Sequence, residues 1–175
     1  MEKKEAPDVK KSFVIKVHRN FLKEKEFKYL EDLMFKPGNN FPWYLNPVVD
    51  VHDKLLQLIH IFYVLPVKSN SSFFKELTPI LDLLKPKKLI RIKANLGLKT
   101  ASIIEHSYHT DYSIPDLVTA ILYLNSNNGY TLFKEGEKVF SERNKIIKFK
   151  GENYHTGTTC TDKEYRAVIN FNYIP

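Results

Sequence analysis

The sequence predicts a mainly β, α+β fold in which a double-stranded β-helix, or jelly roll, carries N-terminal helices packed on one sheet. Two observations indicate this fold class. Apolar residues recur at helical spacing in the first half of the chain, and short β-rich runs separated by turn residues follow one another from Leu89 onward. Helices can cover one sheet of such a fold while the opposite mouth stays open for a ligand.

The length and composition predict one domain with its own hydrophobic core. The chain has 175 residues, of which 43% are hydrophobic and 13% aromatic. We expect a single domain over residues 1–175, with a polar tail at 1–11, helix-rich support at 12–88 and the jelly-roll core at 89–175.

The helix-rich support begins with an alternating segment, residues 12–18, which predicts a first strand. Asn20 is then expected to cap a helix that starts at Phe21 and stops at Pro37-Gly38. Residues 41–45 read as a turn leading into an extended piece, and 51–64 fit neither the helical nor the strand period. Ser71 or Ser72 is expected to cap a second helix that ends before Pro86.

The jelly-roll core is predicted from β-rich runs bounded by turn residues. Residues 125–129 and 134–137 are expected to form hairpin loops, and the turn at 151–153 returns His155 to the sheet. The predicted strands are 89–96, 101–106, 117–125, 130–133, 139–140, 145–149 and 165–173.

Charge and cysteine content limit the partners and the setting. The formal net charge is +7, which two interpretations fit: a solvated basic surface, or attraction to an acidic partner such as nucleic acid. Cys160 is the only cysteine, so we expect no intrachain disulfide and a reducing, cytoplasmic setting. No apolar run approaches the roughly 18 residues of a membrane span, so we expect no membrane partner. The sequence does not indicate an oligomeric state.

The segment His109-Thr110-Asp111 carries the strongest chemical signal. On an extended chain His109 and Asp111 point to the same face and can converge on one ion. Two imidazoles and one carboxylate on one face of a metal form the facial triad of non-haem Fe(II) oxygenases, and His155 supplies the second imidazole. Arg166, eleven residues beyond His155, has the guanidinium that binds a carboxylate through two hydrogen bonds.

These residues carry a resemblance to a known family. The matching segments are HTDY at 109–112, TAILYLN at 119–125, GYTLF at 129–133, IIKFKGENYHTG at 146–157 and YRAVINFNY at 165–173. Over about half of its length the chain resembles the iron(II)- and 2-oxoglutarate-dependent dioxygenases, and within them the prolyl 4-hydroxylase-like group.

The resemblance implies a set of roles and cofactors. His109, Asp111 and His155 would bind Fe(II), and Arg166 would pair with the 5-carboxylate of the cosubstrate 2-oxoglutarate, with O2 as the oxidant. Tyr123 would assist Arg166, or it is an ordinary core aromatic with a hydrogen-bonded hydroxyl.

Two asparagines and one glycine motif extend the same interpretation. Asn170 is expected to face the cosubstrate, and Asn95 either faces the pocket or lies at an exposed edge. Many family members have two glycines before the threonine where this chain has Gly129-Tyr130-Thr131. The contact of that strand with the site, and the role of Thr131, are therefore left open by the sequence.

His106 and the segment around it have alternative interpretations. His106 is expected to face away from His109 and to lie beside the metal site or at the surface rather than to bind metal. The segment 97–107 is either a lid over the substrate or a surface excursion.

The expected reaction is hydroxylation of a C–H bond, with a protein or peptide residue such as proline as substrate. Two other functions compete with it. One is a dioxygenase acting on nucleic acid or a small metabolite, and the other is a cupin-like metal-binding module. Arg166 distinguishes the two dioxygenase functions from the cupin-like module, because a cupin has no general need for a cation at this position.

Overall fold

The computed structural model describes residues 13–46, 55–66, 68–69 and 71–175. Within these ranges, two α-helices and a short 3-10 turn, Phe74–Leu77, accompany eleven strands. The helices are α1 (Glu24–Phe35) and α2 (Thr78–Leu84). The strands are β1 (Lys16–His18), β2 (Tyr44–Asn46), β3 (Gln57–Val64), β4 (Lys68–Ser69), β5 (Lys88–Leu98), β6 (Val118–Tyr123), β7 (Tyr130–Phe133), β8 (Lys138–Phe140), β9 (Lys145–Lys150), β10 (His155–Gly157) and β11 (Tyr165–Ile174).

The strands form two antiparallel sheets. The larger sheet has eight strands, in the order β1-β9-β6-β11-β5-β3-β2, with β4 paired to β3. The smaller sheet has three strands, in the order β10-β7-β8. The predicted jelly roll is confirmed as two sheets of unequal width.

Alternation along β5 and β11 gives the larger sheet two different faces. One face is apolar and contributes buried residues to the main core: Ile92, Ala94, Leu96, Ala167, Ile169, Phe171 and Tyr173. The opposite face of the same two strands presents Arg91, Lys93, Asn95, Gly97, Arg166, Val168 and Asn170 to a cavity. The period-two pattern therefore separates the core from the polar site within single strands.

Both helices pack on the apolar face of the larger sheet, as expected. Phe27, Leu30 and Met34 of α1 and Ile80 and Leu84 of α2 are buried in the same cluster as that face. Burying each of these side chains contributes about 1.5 to 3 kcal/mol. No helix of the described ranges is long and apolar enough to cross a membrane.

The start of the first helix was predicted wrongly. Helix α1 begins at Glu24, after Lys23, and Asn20 has a φ of 50° outside it. The backbone N–H of Lys23 donates to the carboxylate of Glu26 at 3.2 Å, so the helix is capped locally. The intervening backbone is bonded elsewhere, since Leu22 N–H donates to the side chain of Asn144 at 2.9 Å.

The second helix is shorter than expected. A 3-10 turn precedes α2, which starts only at Thr78. Ser71 does act near the start, because its hydroxyl accepts the Phe73 N–H at 3.0 Å. Of the segment 51–64, residues 51–54 lie outside the described residues and 57–64 form strand β3.

Two further predictions in the β-rich half were wrong. Residues 101–106 form no strand, only an isolated bridge between Glu105 and Thr158. Residues 125–129 are not a hairpin loop, because β6 pairs with β9 and β11 whereas β7 pairs with β8 and β10. This segment carries the chain from the larger sheet to the smaller one. The loop at 134–137 does close the hairpin of β7 and β8.

Candidate functional site

A cavity of about 570 Å³ lies against the polar face of the larger sheet. Strands β5 and β11 form its floor, and β10 and the segment around His109 form the opposite wall. Cavities that bind small molecules usually have volumes of about 300 to 1,000 Å³, so this one can hold a cosubstrate and part of a substrate.

His109, Asp111 and His155 meet in this cavity. Each offers one ligand atom, and these atoms lie within 4.8 Å of one another. The two histidines are brought together by an isolated bridge in which each backbone N–H donates to the other's carbonyl at 3.0 Å. The three residues therefore have the geometry of a metal-ligand group.

Hydrogen bonds orient both imidazole rings. Nδ1 of His109 lies 3.1 Å from the carbonyl of Ser107, and Nδ1 of His155 lies 3.0 Å from the carbonyl of Asn153. A carbonyl oxygen only accepts, so each Nδ1 carries the proton. The lone pair of each Nε2 is then available to a metal, which is how backbone carbonyls commonly fix a ligating histidine.

The carboxylate of Asp111 is held by three side chains of the larger sheet. Arg91 Nη2 donates to Oδ1 at 2.7 Å, and Asn172 Nδ2 donates to Oδ2 at 2.8 Å. The hydroxyl of Thr119 donates to Oδ2 at 3.2 Å. Arg91 Nε also donates to the side-chain oxygen of Asn172 at 3.1 Å, so these residues form one connected network.

The local electrostatics keep the Asp111 carboxylate ionised and the His155 ring neutral. Burial raises the pKa of Asp111, but the charge of Arg91 and the bond from Asn172 lower it, and the net direction is downward. Burial lowers the pKa of His155, although Asp111 opposes this. A carboxylate and a neutral imidazole are the forms that bind a metal.

Arg166 forms a second centre deeper in the cavity. Its side chain is buried; Nε donates to the Ser141 hydroxyl at 2.8 Å and Nη2 lies 3.3 Å from the hydroxyl of Thr131. Within the described ranges no carboxylate forms an ion pair with it. A buried guanidinium without a counter-ion is costly unless an anion binds beside it.

Tyr123 and Thr131 support this arginine. The Tyr123 hydroxyl donates to Thr131 Oγ1 at 2.8 Å, and the guanidinium of Arg166 lies 5.7 Å from the Tyr123 ring centre. Burial raises the pKa of Tyr123 to about 12, so the phenol stays protonated. Thr131, whose role the sequence left open, lines the cavity and touches both residues.

Asn95 and Asn170 both line the cavity. The side-chain oxygen of Asn170 is buried and accepts no hydrogen bond from the described residues. Such an atom is an acceptor available to a ligand.

His106 also lines the cavity, so the expectation that it faces away from His109 was wrong. Glu105 pairs with Thr158, and His109 pairs with His155. The chain between Glu105 and His109 is therefore one residue longer than the chain between His155 and Thr158. One extra residue shifts the alternation of side chains, as in a β-bulge. His106 does not belong to the ligand group.

The two ends of the segment 97–107 line the cavity, at Gly97 and at His106-Ser107. Its backbone is bonded to the segment after β10: His106 N–H donates to the Gly157 carbonyl at 3.2 Å, and Thr159 N–H donates to the Ile104 carbonyl at 3.0 Å. A further bond joins Thr100 N–H to the Cys160 carbonyl at 3.0 Å. These bonds favour a fixed wall over a mobile lid.

The residues of the site that sequence reasoning missed include Arg91, Lys93, Thr119 and Asn172. A signal for the first two was present, because polar residues alternate with Ile90, Ile92 and Ala94 on β5. An alternating strand indicates which face is polar but not what that face meets.

No protein-family model matches the sequence, and no curated protein matches it. The fold has clear structural relatives. One is a 2OG-Fe(II) oxygenase family oxidoreductase from Burkholderia pseudomallei, 15% identical with a TM-score of 0.65 over 91% of this chain and 84% of that one. A second is a prolyl hydroxylase from Trichoplax adhaerens in complex with a peptide of hypoxia inducible factor, 13% identical with a TM-score of 0.64 over 91% and 83%.

A third structural relative binds a small molecule. HygX from Streptomyces hygroscopicus, solved with nickel, 2-oxoglutarate and hygromycin B, is 12% identical with a TM-score of 0.55 over 93% of this chain and 83% of that one. At these identities the likeness shows the fold. This chain has the fold of 2OG-Fe(II) oxygenases and of prolyl hydroxylases.

Proposed function

We propose that the protein is an Fe(II)- and 2-oxoglutarate-dependent oxygenase that hydroxylates a C–H bond, with release of succinate and CO2. One observation carries the proposal. The His109, Asp111 and His155 group lines the same cavity as the buried Arg166, which has no carboxylate partner among the described residues. The fold shared with 2OG-Fe(II) oxygenases supports it.

The donor set fits a divalent iron. Two neutral imidazoles and one carboxylate on one side of the ion leave the other positions free for a chelating cosubstrate and oxygen. Bound iron with its cosubstrate would supply the oxidising chemistry, in which one oxygen atom enters the substrate and the other enters succinate. The protein's part is to fix the ligands: Asn153 and Ser107 orient the rings, and Arg91 orients the carboxylate.

The second centre fits the distal carboxylate of 2-oxoglutarate. Arg166 offers paired N–H donors at a buried position, and Thr131 and Tyr123 place hydroxyls beside it. The bonds of Thr131 to both residues hold the guanidinium in place. These residues would hold the cosubstrate so that its other end reaches the metal.

This second centre argues against a cupin-like metal-binding module. A module that holds only a metal has no use for a buried cation beside the ligands, and such a cation is costly. The arginine is explained by a dianionic cosubstrate.

For the substrate we propose a protein or peptide residue, with proline as the first candidate. The likeness of the fold to prolyl hydroxylases, one of them solved with a peptide, supports it. A small metabolite is the second candidate, favoured by the size of the cavity and by the likeness to HygX with its small-molecule ligand.

Oxygen-dependent succinate formation tests the reaction. The purified protein with Fe(II), ascorbate and 2-oxoglutarate should release succinate, and Asp111→Ala should not, because a ligand charge is lost. Asp82→Ala, at an exposed residue of α2, is the matched control and should behave as the wild type. Absence of succinate from the folded wild type, alone and with proline-containing peptides, would contradict the proposal.

A further inference from the structure

Lys93 is a cation in the cavity that neither the metal site nor the cosubstrate centre employs. It lies on β5 between Arg91 and Asn95, with its side chain lining the cavity and partly buried. Among the residues that the structure describes, its side chain forms no hydrogen bond and no ion pair. An ammonium that is partly removed from water and has no partner loses hydration that nothing in the protein replaces.

The register places Lys93 between the two centres. It pairs across the sheet with Asn170, whereas Arg91 pairs with Asn172 beside Asp111, and Gly97 pairs with Arg166. Lys93 is four residues from the Arg166 level, about 13 Å along the strand at 3.3 Å per residue. Arg166 and Lys93 therefore lie at different levels of the cavity, and with the distal carboxylate at the Arg166 centre, Lys93 is left for another group.

The net charge of the cavity also favours the binding of an anion. Asp111 is the only acidic residue among the described residues that line it, and Arg91 neutralises that carboxylate. A divalent metal and a doubly charged cosubstrate cancel each other, so the charges of Arg166 and Lys93 remain in excess. A low-dielectric site with such an excess attracts a further anion.

Asn170 adds a second unpartnered group at the same point. Side chains of directly paired residues lie about 5 Å apart, and the buried oxygen of Asn170 accepts no bond, even from Lys93. The ammonium and the amide oxygen are thus both available to one ligand. Burial lowers the pKa of Lys93, with Arg91 acting in the same direction and Asp111 opposing it; a bound anion would reverse this effect.

We propose that Lys93 binds an anionic group, a carboxylate or a phosphate, of the primary substrate, with Asn170 accepting a hydrogen bond from a neighbouring donor. The proposal rests on the proposed oxygenase function, because it assumes that 2-oxoglutarate occupies the Arg166 centre. It narrows the substrate to compounds, peptidic or small, with an acidic group near the oxidised carbon.

Ligand-observed NMR on the protein loaded with Zn(II) and saturating 2-oxoglutarate tests this without turnover. The probes are matched pairs: carboxylic acids with their primary amides, including N-acetylproline and its amide, and phosphate monoesters with their parent alcohols. We expect binding among the acids or phosphates and not among their neutral partners. Lys93→Met should weaken that binding about ten-fold or more, and Lys93→Arg should restore most of it.

The control variant is Lys88→Met, at an exposed lysine on the same strand, which should bind the probes as the wild type does. Absence of an anionic binder, or equal binding to wild type and Lys93→Met, would overturn the role of Lys93 while leaving the oxygenase proposal intact. A comparable loss of 2-oxoglutarate affinity in Lys93→Met would assign the lysine to the cosubstrate and overturn the substrate role. Failure of the wild type to bind 2-oxoglutarate at all would instead contradict the proposed function.

Discussion

At the residue scale, the site depends on side chains that hold the ligands from behind. Asn172 is fully buried; it donates to Asp111 and to the hydroxyl of Thr119, and accepts from Arg91. Without it, Oδ2 of Asp111 loses its shortest hydrogen bond. The orientation of this carboxylate is therefore set by the larger sheet.

Asn172→Ala should weaken binding of Ni(II), a stable substitute for iron, by about ten- to a hundred-fold, the usual effect of losing such a supporting partner. Calorimetric titration measures the affinity. Asn170→Ala, two residues away and facing the same cavity, removes no hydrogen bond to Asp111 and is the matched control. Equal affinities in the two variants would show that Asn172 does not orient the ligand.

Loss of the Arg166 side chain should affect cosubstrate binding and not metal binding. Arg166→Ala should weaken 2-oxoglutarate binding to the Ni(II)-loaded protein by about ten- to a hundred-fold, because hydrogen bonds to a charged group contribute about 1.5 to 3 kcal/mol. The affinity of the Arg166→Ala protein for Ni(II) should be unchanged, since Arg166 contributes no metal-ligand atom. If the cosubstrate affinity stayed at the wild-type value, another residue would have to anchor the carboxylate.

Sequence order was enough to predict that four residues lie together but not which residues support them. His109, Asp111, His155 and Arg166 follow one another in a recognisable order, and the structure brings all four to one cavity. The three residues that hold Asp111 come from β5, β6 and β11, so their convergence depends on strand pairing across more than fifty residues. Local patterns contain no information about such pairing.

At the element scale, the segment between β6 and β7 places Arg166. A methyl group on Gly129 would lie 2.6 Å from the Thr159 carbonyl oxygen and 2.7 Å from Cδ of Arg166. The close approach of the chain to the arginine thus requires glycine at this position.

Gly129→Ala should destabilise the fold by about 1 to 3 kcal/mol through overpacking and weaken 2-oxoglutarate binding by displacing the arginine. Chemical denaturation and calorimetry measure the two effects. Gly97→Ala is the control for stability, because a methyl group there would meet no atom within 4 Å. A fully stable Gly129→Ala protein with wild-type cosubstrate affinity would disprove the role of this contact.

The element predictions failed where local signals competed with long-range pairing. Asn20 is a good capping residue, but the backbone after it is bonded to Asn144, far along the chain. The turn residues at 125–129 are compatible both with a hairpin and with a connection between two sheets. Only the pairing partners of β6 and β7 show which of the two forms. Strand β10 has three residues, too few for a pattern.

At the scale of the whole molecule, the ligand group joins the two sheets. His155 belongs to the smaller sheet, whereas Asp111 is bonded to side chains of the larger one. A bound metal would thus link the sheets as well as serve the chemistry. Such a link stabilises the folded state, because the unfolded chain does not hold the three ligands together.

Saturating Ni(II), at about 100 times its dissociation constant, should stabilise the fold by about 2.7 kcal/mol and raise the melting temperature by about 5 to 10 °C. Asp111→Ala should abolish this shift while remaining folded without metal. Differential scanning calorimetry with and without Ni(II) measures it. An equal shift in Asp111→Ala would place the metal elsewhere.

The proposed function requires one cavity to bind Fe(II) and 2-oxoglutarate together through His109, Asp111, His155 and Arg166. The most direct measurement is the visible absorption spectrum of the anaerobic protein as 2-oxoglutarate is added in the presence of Fe(II). We expect a charge-transfer band that saturates at one cosubstrate per chain, is absent in Asp111→Ala and needs higher 2-oxoglutarate in Arg166→Ala. No band in the wild-type protein, or a band of equal strength in Asp111→Ala, would contradict the claim.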